Sequence, residues 1–163
     1  MRVLGIDPGT LNMGYGLVDE AGGKMTMIDC GVVVLSAKTP VEKRLASLYT
    51  RLIEVISCYQ PDEVAIEEPF VSVNARSALA VGRAQAIAIL AAANNRLPVF
   101  RYLPAQVKQQ VTDYGVSSKE QVQVMVKIQL GLDDIAYAMD ATDALAVALC
   151  HIYKSQFSSR LTG

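Results

Sequence analysis

The chain lacks any apolar run approaching the ~20 residues that a membrane-spanning helix needs. Its richest stretch, AIAILAAA at 86–93, is bounded by Arg83 and by Asn94–Asn95. A signal peptide is also missing, because Asp7 would fall inside its apolar segment. There are only three cysteines, Cys30, Cys58 and Cys150, an odd number without metal-ligand spacing. They read as reduced, mostly buried small hydrophobes of a cytoplasmic protein with no membrane partner. The one histidine, His151, is eleven residues past Asp140, about 16 Å along a helix axis. It cannot share a metal with Asp140 and reads as a surface or core-edge residue. A strong charge of either sign is missing too. The net charge of −1 argues against non-specific nucleic-acid binding, yet a cluster of four acids would leave +3 on the remainder. A local basic face is then possible, since binding follows charge distribution more than net charge.

What remains suits one packed domain over 1–163, with 52% apolar and 19% charged residues and a frayed tail at 157–163. RVLGID (2–7), GYGLVDE (14–20) and MTMIDCGVVVL (25–35) read as three strands of an antiparallel meander, the last two joined by AGGK. From Pro40 the period becomes helical, with Leu45, Leu48, Leu52, Val55, Ile56 and Tyr59 on one face and Gln60-Pro61 as the stop. EVAIEE (63–68) and PVFRYLP (98–104) are further strands. An alanine-rich helix (74–96) lies between them, its small residues suited to close packing in the core or across a dimer seam. Helices at AQVKQQVTD, 118–130 and 140–156 complete the order βββ-α-β-α-β-α-α-α. Right-handed crossovers then imply an α/β fold, a five-stranded mixed sheet (three antiparallel strands, then parallel ones) with helices on both faces.

Within this frame, Asp7 ends an apolar strand against a Pro-Gly turn. Burying an ionised carboxylate is costly unless something compensates it: a metal ion, a phosphate-binding loop, or a plain turn. Glu67 and Glu68 close another strand, and Asp140 and Asp143 open the last helix on one face. Singly, each has an ordinary explanation: a turn, a solvated strand end, an N-cap and a first-turn acid. Together they suggest a carboxylate cluster. Oxygen ligands without His or Cys favour hard ions, Mg²⁺ or Mn²⁺. Two such ions about 4 Å apart would suit phosphodiester hydrolysis.

The series LGIDPGTLNMGYGLV, AIEEPF, NARSALAVGRAQAIAILAAAN, PAQVKQQVTDYGVSSKEQVQ and DATDALAVAL resembles the RuvC-type Holliday junction resolvases of bacteria, from about residue 2 to 155. The resemblance implies an RNase H-like fold and a homodimer. It also implies Mg²⁺-dependent nicking of opposing strands of a four-way DNA junction, with 5′-phosphate products, beside a branch-migration motor complex. It maps four catalytic, metal-binding acids onto Asp7, Glu67, Asp140 and Asp143, two ions per site. Lys108 and Lys119 match lysines near the scissile phosphate, where they would stabilise charge. Phe70 matches an aromatic placed against bases, and Asn74, Arg76 and Ser77 lie at the helix start after it, a good phosphate-facing position. The chain departs from the family pattern at Arg83, Gln85 and Ala86, where a glutamine, then an arginine and a glycine, would stand, and in having Pro69 before Phe70. GIDPGT also resembles the phosphate loop of sugar kinases and actin-like ATPases, but 163 residues supply only one of the two domains they need. A non-catalytic RNase H-like binding module is the other alternative, and loss of one acid would be its mark.

Overall fold

In the computed structural model the described residues are 1–68, 74–132 and 137–161, the last four of these as backbone only. Ten elements follow one another: β1 (Arg2–Asp7), β2 (Asn12–Ala21), β3 (Lys24–Val34), α1 (Val41–Tyr59), β4 (Glu63–Glu67), α2 (Ala75–Asn94), β5 (Val99–Tyr102), α3 (Pro104–Thr112), α4 (Lys119–Leu130) and α5 (Met139–Leu161). The sheet order is β3-β2-β1-β4-β5. β1–β2 and β2–β3 pair antiparallel, whereas β1–β4 and β4–β5 pair parallel. This is the five-stranded mixed sheet expected from the sequence.

Local chemistry explains most boundaries. Gly22 and Gly23, at φ of 60° and 84°, turn β2 into β3. Gln60 ends α1 in the left-handed conformation, its N–H donating to the Ile56 carbonyl. Asn74 caps α2, and Ser118 caps α4 with a reciprocal Gln121 contact. α5 runs to Leu161 rather than stopping at 156, so the expected frayed tail is helical to that point. No glycine or proline interrupts 139–161, so nothing in that stretch forces an earlier end.

Both faces of the sheet are covered. On one, Leu4, Ile6, Leu17, Val64 and Ile66 pack against α1 and α2. On the other, Val3, Val18 and Ala65 pack against α3, α4 and the centre of α5. α5 lies close to the strands because three glycines that face it, Gly5, Gly14 and Gly16, have no side chain. A Cβ on Gly5 would stand 2.1 Å from the Ala144 carbonyl oxygen, and one on Gly14 would stand 1.9 Å from that of Asp140. The glycines of the opening motif thus let the last helix settle onto the sheet.

Two expectations need correction. His151 is neither at the surface nor at a core edge: it is 1% exposed. Its Nδ1 lies 2.6 Å from the Tyr102 hydroxyl and its Nε2 2.5 Å from Glu63 Oε2, with the Phe100 ring 4.3 Å away. Partners on β4 and β5 satisfy both ring nitrogens, which makes burial affordable. Of the cysteines only Cys150 is buried, while Cys30 is half-buried and Cys58 exposed. Cys58 sits on the outward side of α1, away from the core-facing Leu48, Leu52, Val55 and Ile56.

Candidate active site

Three segments deliver carboxylates to one end of the sheet. Asp7 is the last residue of β1. β4 runs parallel beside it, with Ile6 opposite Ile66, so Glu67 ends the neighbouring strand at the same level. The first turn of α5 lies over Gly14, which pairs with Asp7 across β1–β2, and carries Asp140 and Asp143. Carboxylate oxygens of Asp7, Asp140 and Asp143 lie within 4.8 Å of one another. Glu67 is outside that three-oxygen set, but with Asp143, Lys108 and Lys119 it lines a cleft of about 60 Å³.

The two glutamates part at the end of β4. Glu67 faces the cleft. Glu68 donates its backbone N–H to the Tyr102 carbonyl and sends its side chain to Arg101, 3.4 Å away. Arg101 has no mark in the sequence as a functional residue. Only the β4–β5 register brings it beside Glu68.

The electrostatics are those of a site short of positive charge. Burial, then the charges of Glu67, Asp143 and Asp140, push Asp7 up to about 8. Burial and Asp143 push Glu67 up to about 7. Burial also raises Asp143, against the pull of Lys119, whose Nζ is 3.2 Å from Asp143 Oδ2. Lys119 is itself raised, chiefly by Asp143 and further by Asp7 and Glu67. Lys108, from α3, draws Glu67 and Asp143 down. Two lysines against four acids leave the cluster under-compensated. The donors are oxygens alone, which suits a hard divalent cation and not zinc.

The remaining sequence candidates lie elsewhere. Asn74 Oδ1 accepts from the backbone N–H groups of Arg76 (3.1 Å) and Ser77 (3.4 Å). The start of α2 is therefore capped from within the chain. Arg76 and Ser77 are exposed, and neither lines the acid cleft. Phe70 is outside the described residues.

Comparison with known proteins agrees with this geometry. The profile of the family described as crossover junction endodeoxyribonuclease RuvC matches residues 3–151. A curated protein of that name from Dehalococcoides mccartyi is 50% identical over 159 residues, covering 98% of this chain and 95% of its own. One from Desulforamulus reducens is 47% identical over 162 residues, covering 99% of each. Among solved structures, T. thermophilus RuvC in complex with a Holliday junction substrate superposes with a TM-score of 0.92 at 35% identity, covering 97% of this chain and 96% of that one. The yeast mitochondrial Holliday junction resolvase Ydc2, at 15% identity and a TM-score of 0.70 over 96% of this chain and 82% of that one, shares the fold. With the profile spanning nearly all of the chain and near-half-identical relatives matched end to end, the chain belongs to the RuvC family of crossover junction endodeoxyribonucleases.

Proposed function

We propose that this chain is a structure-selective DNA endonuclease that resolves four-way junctions in recombination and repair by paired, symmetric, metal-dependent nicks. The observation that carries the proposal is the convergence of Asp7, Asp140 and Asp143 within 4.8 Å, beside a cleft lined by Glu67, Lys108 and Lys119. Asp7, Glu67, Asp140 and Asp143 are the residues that would hold two Mg²⁺ ions, with Mn²⁺ able to substitute. Bound there, such ions would activate a water and offset charge on the leaving oxygen of a phosphodiester.

The chain's own groups do the rest. Burial and neighbouring acids push Asp7 up to about 8 and Glu67 up to about 7, so a cation held by them would compete with protons. Lys119 holds Asp143 and carries an ammonium into the cleft, where it can meet negative charge developing on a phosphate. Lys108 adds a second positive charge from α3. Phe70, Asn74, Arg76 and Ser77 follow Glu67 in the chain and are assigned to the flanking DNA. Beyond that, the chain works as a homodimer with a branch-migration motor complex in the cytoplasm. Two sites related by a two-fold axis match a junction with two-fold symmetry. α2 supports the dimer: it exposes Leu79 and Leu90 on a helix rich in alanine, a surface suited to a second copy.

The test is strand nicking of a labelled immobile four-way junction and of a linear duplex of the same sequence, with Mg²⁺ or EDTA. Symmetric Mg²⁺-dependent nicks in the junction alone are expected. Equal cutting of both substrates would remove the structure selectivity. Tight junction binding without cutting would leave a non-catalytic binding module.

A further inference from the structure

The loop between α3 and α4 shows two side chains to solvent that the fold does not use: Tyr114 is 70% exposed and Val116 95%. Its backbone is nevertheless pinned. Thr112 Oγ1 donates to the Lys108 carbonyl at 2.8 Å and accepts from the Tyr114 N–H at 3.2 Å. Ser117 Oγ, buried, stands 2.6 Å from Thr112 Oγ1 and 2.9 Å from the Tyr114 carbonyl. Ser117 N–H donates to the same carbonyl at 3.3 Å, and Asp113 turns the chain at φ of 63°. The web ties the loop to the backbone of Lys108 on one side and to Ser117, the residue before the cap of the helix bearing Lys119, on the other.

Beside this pinned tyrosine lies a recess of about 350 Å³, within the ~300–1,000 Å³ of small-molecule sites. Tyr114, Val124 and Met125 supply its apolar wall and Gln121 a hydrogen-bonding edge, while Thr112 and Ser117, whose hydroxyls are held by the web, also line it. Glu120 also lines it, which disfavours a phosphate and suits an uncharged ring with polar edges. Gln121 is two residues beyond Lys119, about 200° further round α4. The tip of the helix therefore separates recess from cleft. With its side chains a helix is about 10 Å across, or roughly three base steps at ~3.4 Å each.

We propose that this recess receives one nucleobase of the strand being cut, unstacked about three nucleotides from the scissile phosphate and stacked on Tyr114. The inference rests on the reading of the acid cluster as a DNA-cleaving site. Every base has a face that stacks on an aromatic ring. Bases at a branch point have already lost part of their stacking, so extruding one is less costly there than in a continuous duplex.

The experiment places 2-aminopurine, one position at a time, at the nucleotides flanking the cut in a four-way junction, and binds it in EDTA. Wild type should change the fluorescence at one or two positions about three nucleotides from the cut. Tyr114→Ala should abolish that signal and raise the junction Kd about tenfold. Tyr114→Phe should keep the signal, and Val124→Trp, which takes up the space of the recess, should lose it. A wild type without a position-specific signal, or a Tyr114→Ala that binds and reports like wild type, overturns the proposal and leaves nicking untouched. Failure of the cleavage reading looks different: Asp7→Asn would nick like wild type while the Tyr114-dependent signal persisted.

Discussion

Gly14→Ala should slow catalysis by moving the helix that carries two of the acids, while leaving the chain folded. The added Cβ would stand 1.9 Å from the Asp140 carbonyl oxygen, where ordinary contact begins at 3.4 Å. The first turn of α5 must therefore retreat by about 1.5 Å, or β2 must bend away. That turn carries both Asp140 and Asp143, and β2 is hydrogen-bonded to the strand that ends in Asp7. Overpacking of this kind costs about 1–3 kcal/mol of stability, which leaves a typical domain folded. Misplacing catalytic groups by ~1 Å can cost ~10²-fold in rate. Gly14→Ala is thus expected to give a folded protein of lower Tm, with nicking of a four-way junction slowed about 10²-fold and binding retained. Gly82→Ala on α2 is the control: nothing lies within 4 Å of its added Cβ, so it should gain about 0.5–1 kcal/mol by helix propensity. A Gly14→Ala protein that nicks at the wild-type rate with no loss of Tm would refute the reasoning.

Other substitutions probe other parts of the site. Glu67→Gln should abolish nicking whereas Glu68→Gln, which breaks only the exposed contact with Arg101, should leave the rate within the assay's error. Equal effects would undo the assignment of Glu67. The pH dependence has a definite sign. Asp7 and Glu67 titrate at about 8 and about 7 in the folded chain, well above their ordinary values, so they bind protons more tightly folded than unfolded. Their contribution to stability is complete below pH ~4 and lost as pH rises through ~8. In EDTA the Tm should therefore fall over that window, with Asp7→Asn flattening the fall and Mg²⁺ restoring more at pH ~8 than at ~6. An unchanged or rising Tm in EDTA would contradict the electrostatic account. His151→Phe strands the Tyr102 hydroxyl and Glu63, and should cost about 1–3 kcal/mol in urea unfolding. Nicking by the folded fraction should stay normal, since none of His151, Glu63 and Tyr102 lines the acid cleft.

Much of the fold was legible because local signals agreed with it. The alternating strands, the Gly-Gly turn and the 3.6-residue period from Pro40 each need only their own neighbourhood. The acids were legible as strand-end and helix-start residues too polar for their positions. What depended on distant partners was not. His151 finds Glu63 and Tyr102 across 88 and 49 residues of chain. Without them a lone histidine on an apolar helix reads as peripheral. The choice between Glu67 and Glu68 likewise rests on the register with β5, because a sheet covered on both faces buries both sides of a strand. The meaning of Gly14 depends on where α5 lands. Tyr114 and its recess draw no attention in the sequence, since a tyrosine between aspartate and glycine looks like any turn.

The central claim is that residues from β1, β4 and α5 form one metal-dependent cutting site. Its most direct test is Asp7→Asn beside wild type on an immobile four-way junction, with binding and nicking measured on the same samples in Mg²⁺. The account predicts that the variant binds the junction at least as tightly as wild type, since it removes negative charge from the cleft, and makes no nicks. A variant that binds and still nicks both opposing strands at the wild-type rate would take Asp7 out of the mechanism and contradict the account.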